Sequence, residues 1–339
     1  MHLLKPLFAL IAATALTACG GGDSPSPAPV PAPGPAVAAN GTLTTGVNPA
    51  TYADSRRVNA FNQLNAARLG AGAGLLAQST ALDTSASAHA AYLSLNGFGT
   101  ADSAHDEVST SPGYYQSNPF LRMQKAGYDY SYATEVIGDI GSTSATSDCV
   151  GDLLDTVYHA ASMLSRVTDV GIAFGTGGAL GMCTIDMASP LAGGASRQIP
   201  PSGAVVAYPY DGSTVAHGAF HVSAESPRVS TTLLPDANAG TPILVGFRNQ
   251  DRVAGGTVTI TQLSIARSDG TAVPAVIVAD PAISGSGLNG DAELAQSDFA
   301  VLVPRDPLQP GTYRVTLQAS ISGGQALNLT SWSFTVASL

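Results

Sequence analysis

The chain of 339 residues carries a formal net charge of −10 at pH 7, from 14 Lys and Arg against 24 Asp and Glu, and only 11% of its residues are charged. This composition leaves no basic surface able to neutralise phosphates, so it excludes nucleic acid as a partner and disfavours electrostatic attraction to an anionic membrane. The length fits two domains of ordinary size.

The first 18 residues predict a secretion signal. Lys5 precedes an apolar run, residues 6–16, that is too short to span a bilayer as a permanent helix. The following Leu-Thr-Ala-Cys, ending at Cys19, resembles the lipobox of bacterial lipoproteins, which implies cleavage before Cys19 and a lipid on its thiol. Gly20, the residue after this cysteine, resembles the sequence of lipoproteins that are sorted to the outer membrane. We therefore expect a protein of the bacterial cell envelope, bound to the membrane through its N-terminal lipid; an ordinary signal peptide with a chance cysteine is the alternative.

Residues 19–47 predict a tether, because alternating Pro and Ala favour an extended backbone that has nothing to bury. After it, residues 48–190 mix helix and strand patterns and form the first predicted domain. The stretch around residues 191–198 is rich in Pro, Gly and Ser and predicts a linker. Residues 199–339 have strand patterns throughout and form the second predicted domain.

Four helices are predicted in the first domain from apolar residues at helical spacing and from capping residues at their ends. They cover Ala53–Leu69, Ser79–Asn96, a short segment between Asn118 and Gly127, and Asp148–Leu164. Two alternating runs, Val170–Gly175 and Gly181–Met187, then predict a β-hairpin. Helices followed by an antiparallel hairpin indicate an α+β fold.

The second domain consists of short alternating runs such as TPILVGF, DFAVLVP and GTYRVTLQ, divided by Asp-Gly and Pro-Gly turns. This spacing is typical of a sandwich of two sheets. We therefore predict an all-β, immunoglobulin-like sandwich. Its sequence contains no cluster of His, Cys and carboxylate residues that would indicate a site.

Two cysteines remain if Cys19 carries a lipid, namely Cys149 and Cys183. An even number in an exported protein predicts one disulfide, because reduction is not enforced outside the cytoplasm. Two unpaired buried thiols are the alternative.

Two histidines of the first domain lie on predicted helices, at different positions relative to the apolar face. His89 shares a helix face with Leu82, which predicts a hydrogen-bonded core histidine. His159 lies about 200° around the fourth predicted helix from its apolar stripe, on the same face as Asp152 and Asp155. That face either meets water or lines a cleft, in which a carboxylate would fix the tautomer of His159.

Three common catalytic motifs are absent from the sequence: G-x-S-x-G, H-E-x-x-H and the phosphate-binding G-x-x-x-x-G-K-[ST]. A Ser or Thr nucleophile with His105 or His159 as its base stays open, since hydroxyl residues are abundant. A metal site of two histidines with carboxylates or waters would suit zinc.

Several segments resemble, in order and spacing, the CAP superfamily, also called the SCP domain, of cysteine-rich secretory proteins, antigen 5 and plant pathogenesis-related proteins. The resemblance covers about Val58 to Met187. It depends on the segments FNQLNAARLGAGAGLL, SAHAAYLSLNG, AHDEV, SPGYYQSNPF, LRMQKAGY, ATEVIGDI, LLDTVYHAASML and TDVGIAFG.

This resemblance implies a three-layer α-β-α sandwich with a cleft lined by two histidines and two acidic residues, occupied in some members by zinc or another divalent ion. Carried over by position, the histidines are His105 and His159, which would be the metal ligands, and one acidic residue is Glu135. The second acidic residue is Glu107, just after the first histidine, with Asp155 as the reserve candidate.

The sequence departs from the family pattern around the second histidine, where TVYHA, residues 156–160, replaces the common SPGHR. Val157 and Tyr158 take the place of small residues, which reshapes the entrance of the cleft. Val136 replaces the usual asparagine after Glu135, and Leu153 stands near the place of a common tryptophan. These changes concern the chemistry of the site more than the fold.

Family members bind sterols, fatty acids or other proteins, so the resemblance implies a membrane-anchored binding module and favours binding over catalysis. A lipid or sterol, a divalent metal such as zinc, or a protein are the expected ligands. A metal-assisted or histidine-based, protease-like hydrolase is the first alternative, and a purely structural or adhesive surface protein is the second. In every version of the site, His105, Glu135 and His159 should point into one cleft.

Overall fold

The computed structural model describes residues 42–97, 103–139, 148–175, 182–191, 197–248, 257–321 and 326–338. The predicted signal peptide, Cys19 and most of the tether lie outside these ranges. Within them, no helix is both long and apolar enough to cross a membrane.

The first domain, over the residues described, is built from helices and one sheet. Its helices are α1 (Ser55–Ala71), α2 (Thr80–Asn96), α3 (Pro119–Lys125), α4 (Cys149–Leu154) and α5 (Tyr158–Met163), and its strands are β1 (Ala77–Gln78), β2 (Tyr130–Asp139), β3 (Asp169–Phe174) and β4 (Met182–Pro190). The capping signal of α3 acts as expected, because the Asn118 side chain accepts the Leu121 N–H at the start of that helix. Helix α1 runs past its predicted end at Leu69, and Gly72 ends it in the left-handed conformation.

The sheet has the strand order β1-β3-β4-β2, which leaves β2 at an edge. Strands β3 and β4 pair antiparallel, so the predicted hairpin is confirmed. Successive residues of β4 point to opposite faces: Ile185 and Met187 pack with α1, α4 and α5, whereas Met182 and Ala188 pack with α2 and α3. Helices therefore cover both faces, and the predicted three-layer α-β-α sandwich is confirmed.

The single helix predicted over Asp148–Leu164 is wrong, because the segment folds as two short helices, α4 and α5. In a continuous helix the N–H groups of Val157, Tyr158 and His159 would bond to carbonyl groups one turn earlier. Here all three bond to the side chain of Glu225, which belongs to the second domain. A carboxylate from outside the segment thus takes the donors that a continuous helix needs.

The predicted disulfide between Cys149 and Cys183 is confirmed. It joins the start of α4 to β4, with Cα atoms 6.3 Å apart and a sequence separation of 34 residues. Closing a loop of that length stabilises a fold by about 3–4 kcal/mol on the chain-entropy model. The bridge fastens α4, the helix just before α5, to the central sheet.

The second domain is an all-β sandwich, as predicted. Its strands are β5 (Val206–Tyr208), β6 (Thr214–Val215), β7 (Ala219–His221), β8 (Asn238–Gly240), β9 (Ile243–Gly246), β10 (Val258–Arg267), β11 (Ala275–Ala279), β12 (Ile283–Gly285), β13 (Leu288–Gly290), β14 (Phe299–Pro304), β15 (Gly311–Ile321) and β16 (Ser331–Val336). Over the described residues they form two five-stranded sheets, ordered β12-β10-β15-β16-β6 and β13-β11-β14-β9-β5, and β7 pairs with β8.

One sheet of the sandwich is buried on both faces. On β14, Ala300 and Leu302 pack inside the sandwich. The residues between and after them, Val301 and Val303, belong to the same apolar cluster as α1, α4 and α5 of the first domain. The two domains therefore share a continuous apolar core, and the sandwich is docked against the first domain.

The ends of the predicted tether and of the predicted linker also make contacts within the folded structure. Thr42, within the predicted tether, pairs through its backbone with Ile199. Gln198, within the predicted linker, is buried, and its side chain bonds to Thr44 and to the carbonyl oxygen of Leu75. The ends of the tether and the linker are thus part of the folded structure, because together they bridge the two domains.

Candidate functional site

A cavity of about 200 Å³ lies between the edge strand β2, helix α5 and the second domain. His105, Glu135 and His159 line it together, although they come from three separate segments of the first domain. The other residues that line it are Tyr132, Val136, Tyr158, Ala161 and Ser162 of the first domain and Glu225, Ser226, Pro227, Glu293, Leu294, Ala295 and Ser297 of the second. The cleft thus has one side from each domain.

Glu135 connects His105 to a buried arginine. Its Oε1 lies 2.9 Å from Nδ1 of His105, and Nη2 of Arg122 donates to both carboxylate oxygens, at 2.9 and 2.8 Å. Arg122, from α3, is fully buried and also donates to the carbonyl oxygen of His105. Since an ionised carboxylate can only accept, Nδ1 of His105 carries a proton.

Glu107, predicted as the second acidic residue of the cleft, is buried behind it instead and does not line the cavity. Its Oε1 lies 2.9 Å from Nδ1 of His89, and its Oε2 accepts the backbone N–H groups of Tyr115 and Gln116. Nη1 of Arg122 is 3.6 Å from the same carboxylate. Glu107 therefore orders the loop between α2 and α3.

The buried charges around Arg122 balance one another. Both ring nitrogens of His89 face acceptors, one in Glu107 and one in a backbone carbonyl, and an imidazolium satisfies both. Two cations, His89 and Arg122, thus face two carboxylates, Glu107 and Glu135. Burial alone would raise the pKa of Glu135, but the charges of His89 and Arg122 and the hydrogen bond with His105 outweigh it and hold that pKa below its usual range.

Asp186 lies beside Glu135, because the two residues are direct partners across β4 and β2. It is fully buried. Burial and, next, the negative charge of Glu135 raise the pKa of Asp186 well above its ordinary value. This shift favours the protonated, uncharged form of Asp186 beside the Glu135 carboxylate.

His159 is held by contacts of a different kind. Its Nδ1 lies 3.0 Å from Oγ1 of Thr156 and 3.5 Å from Oε1 of Glu225. The Glu225 carboxylate also accepts the N–H groups of Val157, at 2.9 Å, of Tyr158, and of His159, at 3.1 Å. A second acidic side chain does line the cleft next to a histidine, and it comes from the second domain.

The pKa values of this pair move in opposite directions. Burial and, next, the charge of His105 lower the pKa of His159 to about 4. Burial raises the pKa of Glu225 to about 7, although its hydrogen bonds from the backbone oppose the change. His159 is therefore neutral at pH 7 and has one bare ring nitrogen that can accept a hydrogen bond.

Asp155, the reserve candidate, does not line the cavity. It caps the end of α4 and is buried, and burial followed by the negative charges of Asp152 and Asp148 raises its pKa to about 8. Asp152 is exposed and lies 3.6 Å from His217 of the second domain. The break between α4 and α5 separates these aspartates from His159.

The donor set does not fit a zinc ion held by three or more protein side chains. No group of three His, Cys, Asp or Glu residues within the described ranges is arranged to hold a metal ion. Glu135 already binds Arg122 and His105 through both oxygens. A zinc ion at His105 and His159 would have two imidazole ligands, fewer than the three that catalytic zinc sites use.

Two residues of the site received no role from the sequence, Arg122 and Glu225. Arg122 lies within the quoted segment LRMQKAGY, and a cation inside a short helix of a charge-poor chain is a usable signal. Glu225 gives no such signal. It follows His159 by 66 residues and belongs to the domain in which no polar motif was found.

Residues 61–187 match the family model described as CAP: Cysteine-rich secretory protein family. The chain contains a CAP domain. The matched span agrees with the predicted one and includes His105, Glu135 and His159. Glu225 and the rest of the second domain lie outside it.

A search of the curated proteins finds no match. Among solved structures, the chain is similar to an extracellular protein containing a SCP domain from Bacillus anthracis str. Ames, with 18% identity, a TM-score of 0.33 and coverage of 40% of either chain. It is also similar to CopC from Methylosinus trichosporium OB3b, with 19% identity and a TM-score of 0.22 over 38% of this chain and 87% of that one. PcoC, a methionine rich copper resistance protein from Escherichia coli, has 21% identity and a TM-score of 0.21 over 39% and 93%. TM-scores this low say nothing about function.

Proposed function

We propose that this protein is an exported, membrane-anchored binding protein whose ligand site is the cleft between the CAP domain and the β-sandwich. The observation that carries the proposal is that His105, Glu135, His159 and Glu225 line one cavity. The location in the cell envelope, through a lipid on Cys19, rests on the lipobox-like sequence.

The cavity favours a small polar ligand over a lipid. Its volume of about 200 Å³ is below the roughly 300–1,000 Å³ of most ligand pockets, which are mainly apolar. Imidazole, carboxylate and hydroxyl groups make up much of the lining here. A sterol or an acyl chain would find little apolar surface, whereas a polar group of a small molecule or of a protein ligand would find hydrogen-bond partners.

The contacts favour binding over hydrolysis. Cys149 and Cys183 form a disulfide and are not available as nucleophiles. Thr156 contacts His159, but it is buried and its hydroxyl donates to the carbonyl oxygen of Leu153. Within the described ranges, the two cleft histidines contact protein side chains through Nδ1, and no hydroxyl donates to Nε2.

Native mass spectrometry of the full-length protein, extracted from membranes in detergent, tests the binding function. The wild-type protein should retain an added mass beyond its lipid, and His105→Ala with His159→Ala should lose it. His217→Ala, at an exposed histidine outside the cavity, is the matched control and should retain it. Elemental analysis of the same samples identifies the added mass if it is zinc. The proposal would be contradicted if the wild-type protein carried no added mass and no compound of a metabolite library shifted its Tm.

Cell fractionation with an alkyne-labelled fatty acid tests the anchor separately. Cys19→Ala should remove the label and move the protein from the membrane fraction, while Ser24→Ala in the predicted tether should change neither. Label on the Cys19→Ala protein would show that the lipid is attached elsewhere or that the signal was misread.

A further inference from the structure

Glu225 is the contact through which the second domain reaches the cleft histidine. Its side chain is almost fully buried, and its two oxygens accept the N–H groups of three consecutive residues, Val157, Tyr158 and His159. These residues are the start of α5. The position and the direction of the helix that carries His159 therefore depend on a residue outside the CAP domain.

Above the Glu225 pKa of about 7, the ionised carboxylate and the hydroxyl of Thr156 together decide which ring nitrogen of His159 carries the proton. Nδ1 lies 3.5 Å from Oε1 of Glu225 and 3.0 Å from Oγ1 of Thr156. The single hydroxyl proton of Thr156 is donated to the carbonyl oxygen of Leu153, so Oγ1 accepts at His159. A lone pair on Nδ1 would face two acceptors and be repelled, whereas an N–H there is attracted to both. His159 is thus an Nδ1–H tautomer with a bare Nε2.

His105 has the same arrangement on the opposite side of the cleft. Its Nδ1 donates to Glu135, so in the neutral ring Nε2 is the acceptor. Within the described part of the chain, Nε2 of neither His105 nor His159 has a hydrogen-bond partner. Both rings line the cavity: Nε2 of His159 is bare, and Nε2 of His105 is bare in the neutral form of that ring.

The rest of the lining adds acceptors and no cationic side chain. Besides Glu135, the cavity is lined by Glu225 and by the exposed Glu293, and among the described residues neither a Lys nor an Arg lines it. Three arginines near the lining are already engaged: Arg122 with Glu135, Arg166 with Asp298, and Arg197 over the ring of Tyr132, 4.2 Å from its centre. An anion would meet repulsion here, and a cation with N–H groups would meet both charge and acceptors.

We propose that Glu225 of the β-sandwich is a positioning residue that holds His159 as the Nδ1–H tautomer, so that the cleft presents two imidazole acceptors and selects a ligand bearing an ammonium or guanidinium group. The ligand class rests on the proposed function of the cleft as a binding site. The tautomer is a property of the protein alone and can be measured without any ligand.

Nitrogen-15 NMR of the histidine rings measures the tautomer, because protonated and bare ring nitrogens have well separated shifts. At pH 8 the wild-type protein should show His159 protonated at Nδ1. Glu225→Gln should convert it to a mixture of tautomers or to Nε2–H, while Thr156→Val should leave Nδ1–H in place, since the carboxylate remains. Asp269→Asn, at an exposed carboxylate outside the cavity, is the control and should change nothing. An Nε2–H tautomer in the wild-type protein, or no change in Glu225→Gln, overturns the proposal. If Glu225→Gln does not fold, the wild-type spectrum alone tests the tautomer.

Titration with methylammonium chloride, against tetramethylammonium chloride, tests the ligand class. Both ions carry one positive charge, but only the first has N–H groups. Methylammonium should shift the Nε2 signals of His105 and His159, tetramethylammonium should not, and Glu225→Gln should weaken methylammonium binding at least tenfold. Equal effects of the two ions, or none, overturn the ligand class. The proposed function has its own test in the mass of the membrane-extracted protein, so the two failures can be told apart.

Discussion

The two sides of the cleft hold an imidazole in the same way and are built differently. On both, a carboxylate lies next to Nδ1 and leaves Nε2 toward the cavity. On the His105 side the carboxylate is balanced by Arg122, and all partners lie within the CAP domain. On the His159 side the carboxylate comes from the second domain and is stabilised by backbone N–H groups, and no Lys or Arg of the described ranges contacts it.

This difference determines how each side depends on the rest of the molecule. Charge balance among buried side chains makes the His105 side self-contained, so it should persist wherever the CAP domain folds. The His159 side needs the sandwich to be docked, since Glu225 both starts α5 and fixes the ring. In this chain the second domain thus supplies part of the lining of the cleft beside His159.

The largest effect is expected from Arg122→Met, which leaves Glu107 and Glu135 buried without their shared cation. Breaking a buried ion pair from one side costs about 3–5 kcal/mol. Urea unfolding followed by circular dichroism should show a loss of that size in the free energy of unfolding. Lys125→Met, at an exposed position of the same helix, is the control and should cost no more than about 0.5 kcal/mol. If the two variants behaved alike, the charge balance would not be what supports the His105 side.

A smaller effect, dependent on pH, is expected on the α4–α5 side. Burial raises the pKa of Asp155 to about 8 and that of Glu225 to about 7. A carboxyl group whose pKa is higher in the folded than in the unfolded chain binds more protons when folded, so stability is highest below about pH 4 for these groups and falls as the pH rises to about 8. The decrease should amount to several kcal/mol, because each pKa unit of difference between the folded and the unfolded chain corresponds to about 1.4 kcal/mol.

Asp155→Asn should remove much of that pH dependence, because the amide keeps the shape of the side chain and has no proton to lose. Unfolding free energies measured between pH 4.5 and 8 test this, with Asp236→Asn, in an exposed ion pair with Arg228, as the control of unchanged slope. A slope that Asp155→Asn leaves intact would assign the proton uptake to other groups.

The smallest effect is expected from Tyr158→Phe, which removes the hydrogen bond from its hydroxyl to Asp291 across the domain boundary. One such bond contributes about 0.5–1.5 kcal/mol. Tyr114→Phe removes a comparable bond to Gln116 inside the CAP domain. Both variants should lose similar stability in urea unfolding, but only Tyr158→Phe should shift the ring signals of His159. Equal effects on that ring would mean that the domain boundary has no special influence on the cleft.

Much of the fold could be predicted because it is encoded by local patterns. Three of these patterns depend only on residues close in the chain: the capping residue Asn118, the helix end at Gly97 and the alternation of residues in β3 and β4. Each of these elements forms where predicted. The family motifs, in turn, located His105, Glu135 and His159, which the fold does bring to one cavity.

The acidic partner of His159 could not be found in this way. Position in the chain favours Glu107 as the second acidic residue of the cleft. In the structure, however, Glu107 contacts His89, and both side chains are buried. Asp155 would share a face with His159 only in a continuous helix, and Glu225 takes the N–H groups that such a helix requires. The error in the helix and the error in the acidic residue have the same cause.

Composition, periodicity and motifs therefore established the export signal as an expectation, the first three helices, the β3–β4 hairpin, the disulfide partners and three residues of the cleft. The shared apolar core, the break before α5 and the role of Glu225 arise from the docking of two domains. Docking depends on the fit between two surfaces whose residues are far apart in the chain, and a local sequence pattern does not predict that fit.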